Sequence, residues 1–151
     1  MKEKKEIGLI RVLTTQDKKL LQLHGHLIES YFPSLTVESR CIADQYEGIH
    51  DEASQAKALP KVLKLAGEFA ADHVDAVYIS CAGDPGVRLL QEKLDIPVIG
   101  AGIATANIAL AYGVPVGVLG ITDDVPEEIT KILGKHLIGA LHPPMIHTTL
   151  D

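Results

Sequence analysis

Residues 75–86, DAVYISCAGDPG, decide the fold class of this chain. The run at 75–80 is short and mostly apolar, which is typical of a buried strand. Pro85 suits the first turn of a helix, so a strand, a loop of small residues and a helix follow in succession. Such a unit is the building block of a parallel α/β sheet.

The same alternation extends in both directions along the chain. Further strands are predicted at residues 7–13, 35–42, 96–99 and 114–121, and helices at 18–32, 51–71, 85–94, 100–112 and 126–136. Pro60 is expected to kink or split the second helix. Because right-handed crossovers join parallel strands, we predict a doubly wound α/β sheet of Rossmann or flavodoxin type. Residues 138–151 show no clear period and are predicted as loop or tail.

Composition excludes several classes of protein. The 151 residues are 46% hydrophobic and 23% charged, a globular balance, and the net charge of −6 argues against a nucleic-acid partner. No apolar run approaches the roughly 20 residues of a membrane helix. Two cysteines do not form a disulfide framework, so we expect a cytoplasmic protein. From the charge and the apolar runs, we expect neither a membrane nor a nucleic-acid partner.

The carboxyl ends of the predicted strands form the expected ligand crevice. They carry small hydroxyls, glycines and one thiol, with representatives at Thr14, Thr15, Cys81, Ala82, Gly83 and Thr122. The chain has neither a Walker loop nor a strand-to-helix G-x-G-x-x-G turn, which disfavours a nucleotide. A small carboxylate or amide, held without a metal or cofactor, fits this crevice better.

Cys81 is the residue with the clearest chemical potential. At a helix N-terminus, amide dipoles would stabilise its thiolate and lower its pKa. The alternative is a small buried hydrophobic residue, as free cysteines often are. Asp84 either caps a helix or orients the thiol or a substrate amine.

The remaining polar candidates have plainer interpretations. Thr14, Thr15 and Thr122 are helix caps by default, and Cys41 is interpreted as a core or inert thiol. The histidines are interpreted as solvent-exposed or satisfied by neighbours, and they form no metal-like set: His24, His26, His136, His142 and His147.

Four segments together resemble one enzyme superfamily. They are residues 78–86 (YISCAGDPG), 96–102 (IPVIGAG), 116–122 (VGVLGIT) and the loop 44–49 (DQYEGI). In this order they resemble the hydantoin branch of the aspartate/glutamate/hydantoin racemases, over about residues 7–134.

The resemblance implies two pseudo-symmetric α/β domains that each supply one cysteine, with no pyridoxal, metal or nucleotide. One thiolate removes the proton α to a carbonyl, and the other thiol returns a proton to the opposite face. Cys81 matches the first thiol. In the family, strand-end positions bind the polar groups of the substrate, which is an amino acid, a carboxylate or a hydantoin. The residues that match these positions are Thr14, Thr15, Ala82, Gly83 and Thr122.

The sequence departs from the family at its C-terminal end. Residues 1–97 match a first domain, residues 98–137 match part of a second, and family members continue beyond residue 151 to a second cysteine. We therefore expect a cofactor-independent racemase that is C-terminally short and impaired without that cysteine. Incomplete sheet edges also predict a homo-oligomer. The alternative is a flavodoxin-like module that binds a small carboxylate without catalysis.

Overall fold

The computed structural model describes residues 4–120 and 124–142. Strands and helices alternate along the chain, as the sequence pattern predicts. The strands are β1 (Lys5–Arg11), β2 (Leu35–Cys41), β3 (Ala76–Ser80), β4 (Val98–Gly100), β5 (Val116–Leu119) and β6 (Leu137–Leu141). The helices are α1 (Lys18–Tyr31), α2 (Glu52–Ala71), α3 (Val87–Lys93), α4 (Ala101–Ala111) and α5 (Glu127–Leu133), followed by a 3₁₀ turn at Gly134–His136.

The first four strands form one parallel sheet in the order β2-β1-β3-β4. The last residue of β1, Arg11, pairs with Cys41 of β2 and with Ser80 of β3. Since parallel strands end at the same edge, this register brings the carboxyl ends of three strands together.

Helices cover both faces of this sheet. Gly8 of β1 lies against the ring of Phe69 in α2, whereas the Arg11 guanidinium donates to the Leu20 carbonyl of α1 over 2.7 Å. Positions 8 and 11 point to opposite faces of a strand, so α1 and α2 lie on opposite sides. The prediction of a doubly wound α/β sheet is confirmed.

Helix α2 supplies much of the main core. Its buried face carries Val62, Ala66 and Phe69, which pack in one cluster with strand residues such as Ile10 and Val77. Asp51 starts the helix with a capping box, in which its carboxylate accepts from the Ser54 amide at 2.7 Å. The helix is continuous through Pro60, so the expected split there is absent.

A second, smaller sheet pairs β5 with β6 in parallel. Its inner face packs on a separate cluster built around Ala106, Ile129 and Leu133. Residues 138–141 were predicted as loop or tail, and this prediction is wrong. Their apolar residues do not alternate, and the strand exists because its backbone pairs with β5, a contact that local pattern cannot reveal.

The strand pairing also bears on the expected domain boundary. A division at residue 98 would separate β4 from β3, to which it is hydrogen-bonded from Val98 to Gly100. A boundary after Gly100 is more consistent with this pairing, and the division into domains stays a prediction. Among the helices of the described segments, none is long and apolar enough to cross a membrane.

Candidate active site

The loop that follows β3 carries Cys81 into the wall of a cavity of about 350 Å³. Polar or small neighbours in that wall are His24 of α1, Tyr78 and Ser80 of β3, and Ala101 at the start of α4. Ala82 and two aliphatic residues of α1 complete the lining. The sulfur also packs partly against the main hydrophobic core. Cys81 is therefore half-buried, with one side toward the core and the other toward the cavity.

The environment of Cys81 differs from the predicted helix N-terminus. Helix α3 begins at Val87, with Gly86 as a left-handed N-cap (φ 77°), so six residues separate the strand from the helix. The helix dipole therefore does not act directly on the sulfur, and the expected lowering of the thiol pKa is wrong. Burial raises the pKa of Cys81, and the nearby Asp84 carboxylate raises it further.

Two backbone amides oppose that rise. The N–H groups of Gly83 and Asp84 lie near the sulfur and act to lower the pKa of Cys81, and the Asp84 N–H donates to the Cys81 carbonyl at 3.1 Å. The turn itself, rather than the helix, thus supplies the amide donors. With its pKa raised, the Cys81 thiol is protonated at neutral pH, and the nearby amides would stabilise its thiolate.

Asp84 caps a helix, but not the one that follows it in sequence. Its carboxylate accepts from the amides of Gly102 (3.0 Å) and Ile103 (2.5 Å), the first turn of α4. A Cβ on Gly100 would collide with this carboxylate, and one on Gly102 with the Ala82 carbonyl. Burial raises the pKa of Asp84, while the two amides lower it. These contacts support the capping interpretation.

His24 is one of the cavity residues that the sequence interpretation missed. Its Nδ1 lies 2.6 Å from Ser80 Oγ, next to Cys81 in the chain. Burial lowers the pKa of His24, and the Arg11 guanidinium lowers it further. Helical spacing could have indicated this position, because His24 lies four residues from both Leu20 and Ile28 and so shares the inner face of α1.

Arg11 is a second residue that the strand pattern concealed. Only 6% of it is exposed, and within the described segments no salt bridge joins it to a carboxylate. Its guanidinium donates to the Leu20 carbonyl, and burial lowers its pKa. Arg11 does not line the cavity, but its positive charge is close enough to lower the pKa of His24.

The side chains available for a cofactor or metal are few. Within residues 4–120 and 124–142, no group of three histidine, cysteine, aspartate or glutamate residues could hold a metal ion. The chemistry that the cavity offers is proton transfer, by one thiol, one imidazole and one phenol.

The sequence as a whole matches the family model for Asp/Glu/Hydantoin racemase over residues 7–148. The chain belongs to this racemase family. No curated protein is a significant match to the sequence. The predicted resemblance is thus confirmed.

Two solved structures of similar fold carry the name allantoin racemase. The protein from Klebsiella pneumoniae superposes with a TM-score of 0.71 at 22% identity, covering 91% of this chain and 58% of that one. The protein from Pseudomonas fluorescens gives a TM-score of 0.71 at 19% identity, with 91% and 60% covered. This racemase-family chain therefore spans about three fifths of the length of these structures.

Thr14 and Thr15, two further predicted site residues of this racemase-family chain, lie outside the Cys81 cavity. Thr14 Oγ1 donates to the Ile42 carbonyl at 2.5 Å and accepts from the Gln45 amide at 2.8 Å, which ties together the loops after β1 and β2. Thr15 Oγ1 accepts from the Asp17 amide at 3.1 Å. Neither threonine lines the Cys81 cavity, and both hydroxyls serve local loop structure.

The glycine-loop candidates lie closer to the thiol. Ala82 lines the cavity, and the backbone amide of Gly83 acts to lower the pKa of the thiol. Cys41, interpreted as inert, contacts the Thr15 carbonyl with its sulfur at 3.7 Å and does not line the Cys81 cavity. Thr122 lies outside the described residues.

Proposed function

We propose that this chain carries the first catalytic half of a cofactor-independent racemase, with Cys81 as an acid/base thiol. The observation that supports it best is the position of Cys81 in a cavity wall, beside the backbone amides of Gly83 and Asp84, which act to lower the pKa of the thiol. The family match makes α-proton transfer the reaction to test first.

The reaction breaks a C–H bond next to a carbonyl, and the electron pair moves onto the carbonyl oxygen. That oxyanion needs a donor, because the α-proton is weakly acidic. Burial and the Asp84 charge raise the pKa of Tyr78, so its phenol stays protonated and can donate. Tyr78 and Cys81 both line the cavity. This supports a mechanism in which the phenol stabilises the oxyanion and the thiol transfers the proton.

The lining favours an uncharged substrate. With His24 neutral and Cys81 and Tyr78 protonated, none of the described lining side chains is charged near neutral pH. A zwitterionic amino acid would lose water there without gaining a counter-charge. A hydantoin ring contains two carbonyls and carries no charge near neutral pH, so it has no such requirement, and the similar structures are named for a hydantoin derivative, allantoin.

The test follows the α-proton directly. An enantiopure 5-substituted hydantoin is incubated with the protein in D₂O, and loss of the C5–H signal by NMR is compared with loss of optical rotation. With the two enantiomers tested separately, the Cys81→Ala variant should slow racemisation by roughly 10²-fold or more, and exchange of at least one enantiomer by a similar factor. Cys41→Ala is the matched control and should keep the wild-type rate, because Cys41 does not line the cavity. Equal rates for all three proteins would refute the proposal.

The raised pKa of Cys81 favours a second candidate, a module that binds a small ligand without catalysis. Calorimetry with the same hydantoins, and with small carboxylates, separates the two. A binding module would retain its ligand in Cys81→Ala and show no exchange in the wild type. A racemase would show exchange that depends on the thiol.

A further inference from the structure

Asp84 follows the proposed catalytic thiol in the same turn but does not line its cavity. Its carboxylate accepts from the backbone amides of Gly102 (3.0 Å) and Ile103 (2.5 Å), in the first turn of α4. Its own backbone amide donates to the Cys81 carbonyl over 3.1 Å. Only 9% of Asp84 is exposed. This residue therefore joins the turn that carries the thiol to helix α4, through its backbone on one side and its side chain on the other.

The turn packs closely on the start of α4. A Cβ on Gly100 would collide with the Asp84 carboxylate, and a Cβ on Gly102 would collide with the Ala82 carbonyl. Asp84 itself has a φ of 47°, a left-handed conformation that a residue other than glycine keeps only where its surroundings hold it. The close packing and the two hydrogen bonds together fix residues 81–84 relative to residues 100–103.

The charged side chains that act on Asp84 come from α3 and α5. They are Arg88 and Glu128, which form an ion pair with each other at 3.0 Å. Burial raises the pKa of Asp84 and the two α4 amides lower it, with smaller effects from Arg88, which lowers it, and Glu128, which raises it. Because Arg88 is engaged by Glu128, the amides of α4 determine the orientation of the Asp84 carboxylate.

We propose that Asp84 is a positioning residue, which holds the Cys81 sulfur within reach of the substrate α-carbon by fixing residues 81–84 on the first turn of α4. This inference rests on the proposed function. Proton transfer requires the two reacting atoms to be close together and aligned, and a displacement of about 1 Å can cost roughly 10²-fold in rate. Asp84 acts through Cys81, because Asp84 does not line the cavity in which the thiol lies.

Asp84 also affects Cys81 through its charge, and this effect has the opposite sign. The carboxylate raises the pKa of Cys81, so its neutralisation would increase the fraction of thiolate at neutral pH. If charge were its only influence, Asp84→Asn would therefore speed the removal of the α-proton by the thiolate. If Asp84 positions the turn, the same variant slows that step, because an asparagine side chain offers one oxygen to two amide donors.

Two variants and one control test the assignment. Asp84→Asn weakens the attachment to α4 and removes the charge, whereas Gly100→Ala keeps the charge and displaces the carboxylate. Gly8→Ala is the control, because its added Cβ strains the core against Phe69 and leaves the turn intact. Exchange of C5–H in D₂O is followed by NMR with the separate R and S forms of 5-isopropylhydantoin. For the enantiomer whose exchange Cys81→Ala slows more, kcat and KM are measured at pH 7.5, and circular dichroism verifies that each variant is folded.

The expected result is a loss in kcat alone. We expect kcat to fall by roughly 10- to 100-fold in both Asp84→Asn and Gly100→Ala, with KM unchanged, and to stay at the wild-type value in Gly8→Ala. An unchanged or higher kcat in either turn variant would overturn the inference and leave the proposed function intact. An equal fall in Gly8→Ala would attribute the effect to lost stability and would also overturn it. No exchange by the wild-type protein would remove the proposed function, and this inference with it.

Discussion

Asp84 Oδ1 accepts a 3.0 Å hydrogen bond from the backbone amide of Gly102 and so joins the loop after β3 to the first turn of α4. The same carboxylate raises the pKa of Cys81. One buried side chain therefore links the stability of α4 to the protonation of the thiol.

Neutralising that carboxylate should affect both properties. Asp84→Asn keeps an oxygen for the α4 amides but loses the charge, so we expect the pKa of Cys81 to fall and its alkylation by iodoacetamide to begin at lower pH. The weaker cap should also reduce the free energy of unfolding by about 1 kcal/mol, measured in urea. An unchanged or higher onset of alkylation would contradict this. Asp95→Asn, which removes a carboxylate outside this contact, serves as the control.

His24 should make stability depend on pH. The folded-state pKa of His24 lies below its ordinary value of 6.5, so the unfolded chain binds more protons as pH falls through that value. The folded protein should therefore lose stability on acidification from pH 7.5 to 5.5. His24→Gln should show a smaller loss over the same window, in urea unfolding at each pH. The same pH dependence in both proteins would contradict the placement of His24.

Gly8 should tolerate no side chain. A Cβ there would lie 2.5 Å from Cγ of Phe69, so Gly8→Ala forces the ring of a fully buried phenylalanine to move. We expect a loss of about 1–3 kcal/mol in the free energy of unfolding. Gly67→Ala is the matched control on α2, where nothing lies within 4 Å of the added carbon. It should be neutral or stabilise the helix by about 1 kcal/mol.

The outer face of the small sheet should take part in self-association. Leu119, Ile138 and Leu141 are 75%, 72% and 72% exposed there, while the other face of the sheet packs on the second cluster. Contiguous exposed apolar residues of this kind mark contact surfaces. We expect light scattering at micromolar concentration to give more than the monomer mass, and Ile138→Lys to lower it. A monomer mass for the wild-type protein would refute the expected homo-oligomer.

Much of the fold could be predicted because its strands and helices have strong local patterns. The run at 75–80 and the helical spacing in α1 and α2 predict elements that the structure contains. Strand β6 could not be predicted, since its residues 138–141 lack alternation and its partner β5 is distant in sequence. Helix α3 was predicted to begin at Pro85 but begins at Val87. The reason is that Asp84 (φ 47°) and Gly86 (φ 77°) adopt left-handed backbone conformations in the turn before it.

Cys81 and Ala82, two of the predicted site residues, line the cavity, whereas the cavity residues on neighbouring elements were not predicted. Cys81 could be located from its place after a strand, but its raised pKa depends on burial and on Asp84, which only packing determines. His24 was interpreted as an ordinary helix residue, and Arg11 was counted within a strand, because spacing along one element does not reveal what lies opposite.

The amino-acid sequence by itself determined the order of strands and helices and the loop on which the thiol lies, since hydrophobic period and turn residues act over a few positions. Only the tertiary structure decided that an imidazole from α1 and a thiol after β3 line one cavity, and that a carboxylate from the loop after β3 caps α4. The physical reason is that desolvation, charge and hydrogen bonding depend on distances between residues that lie far apart along the chain.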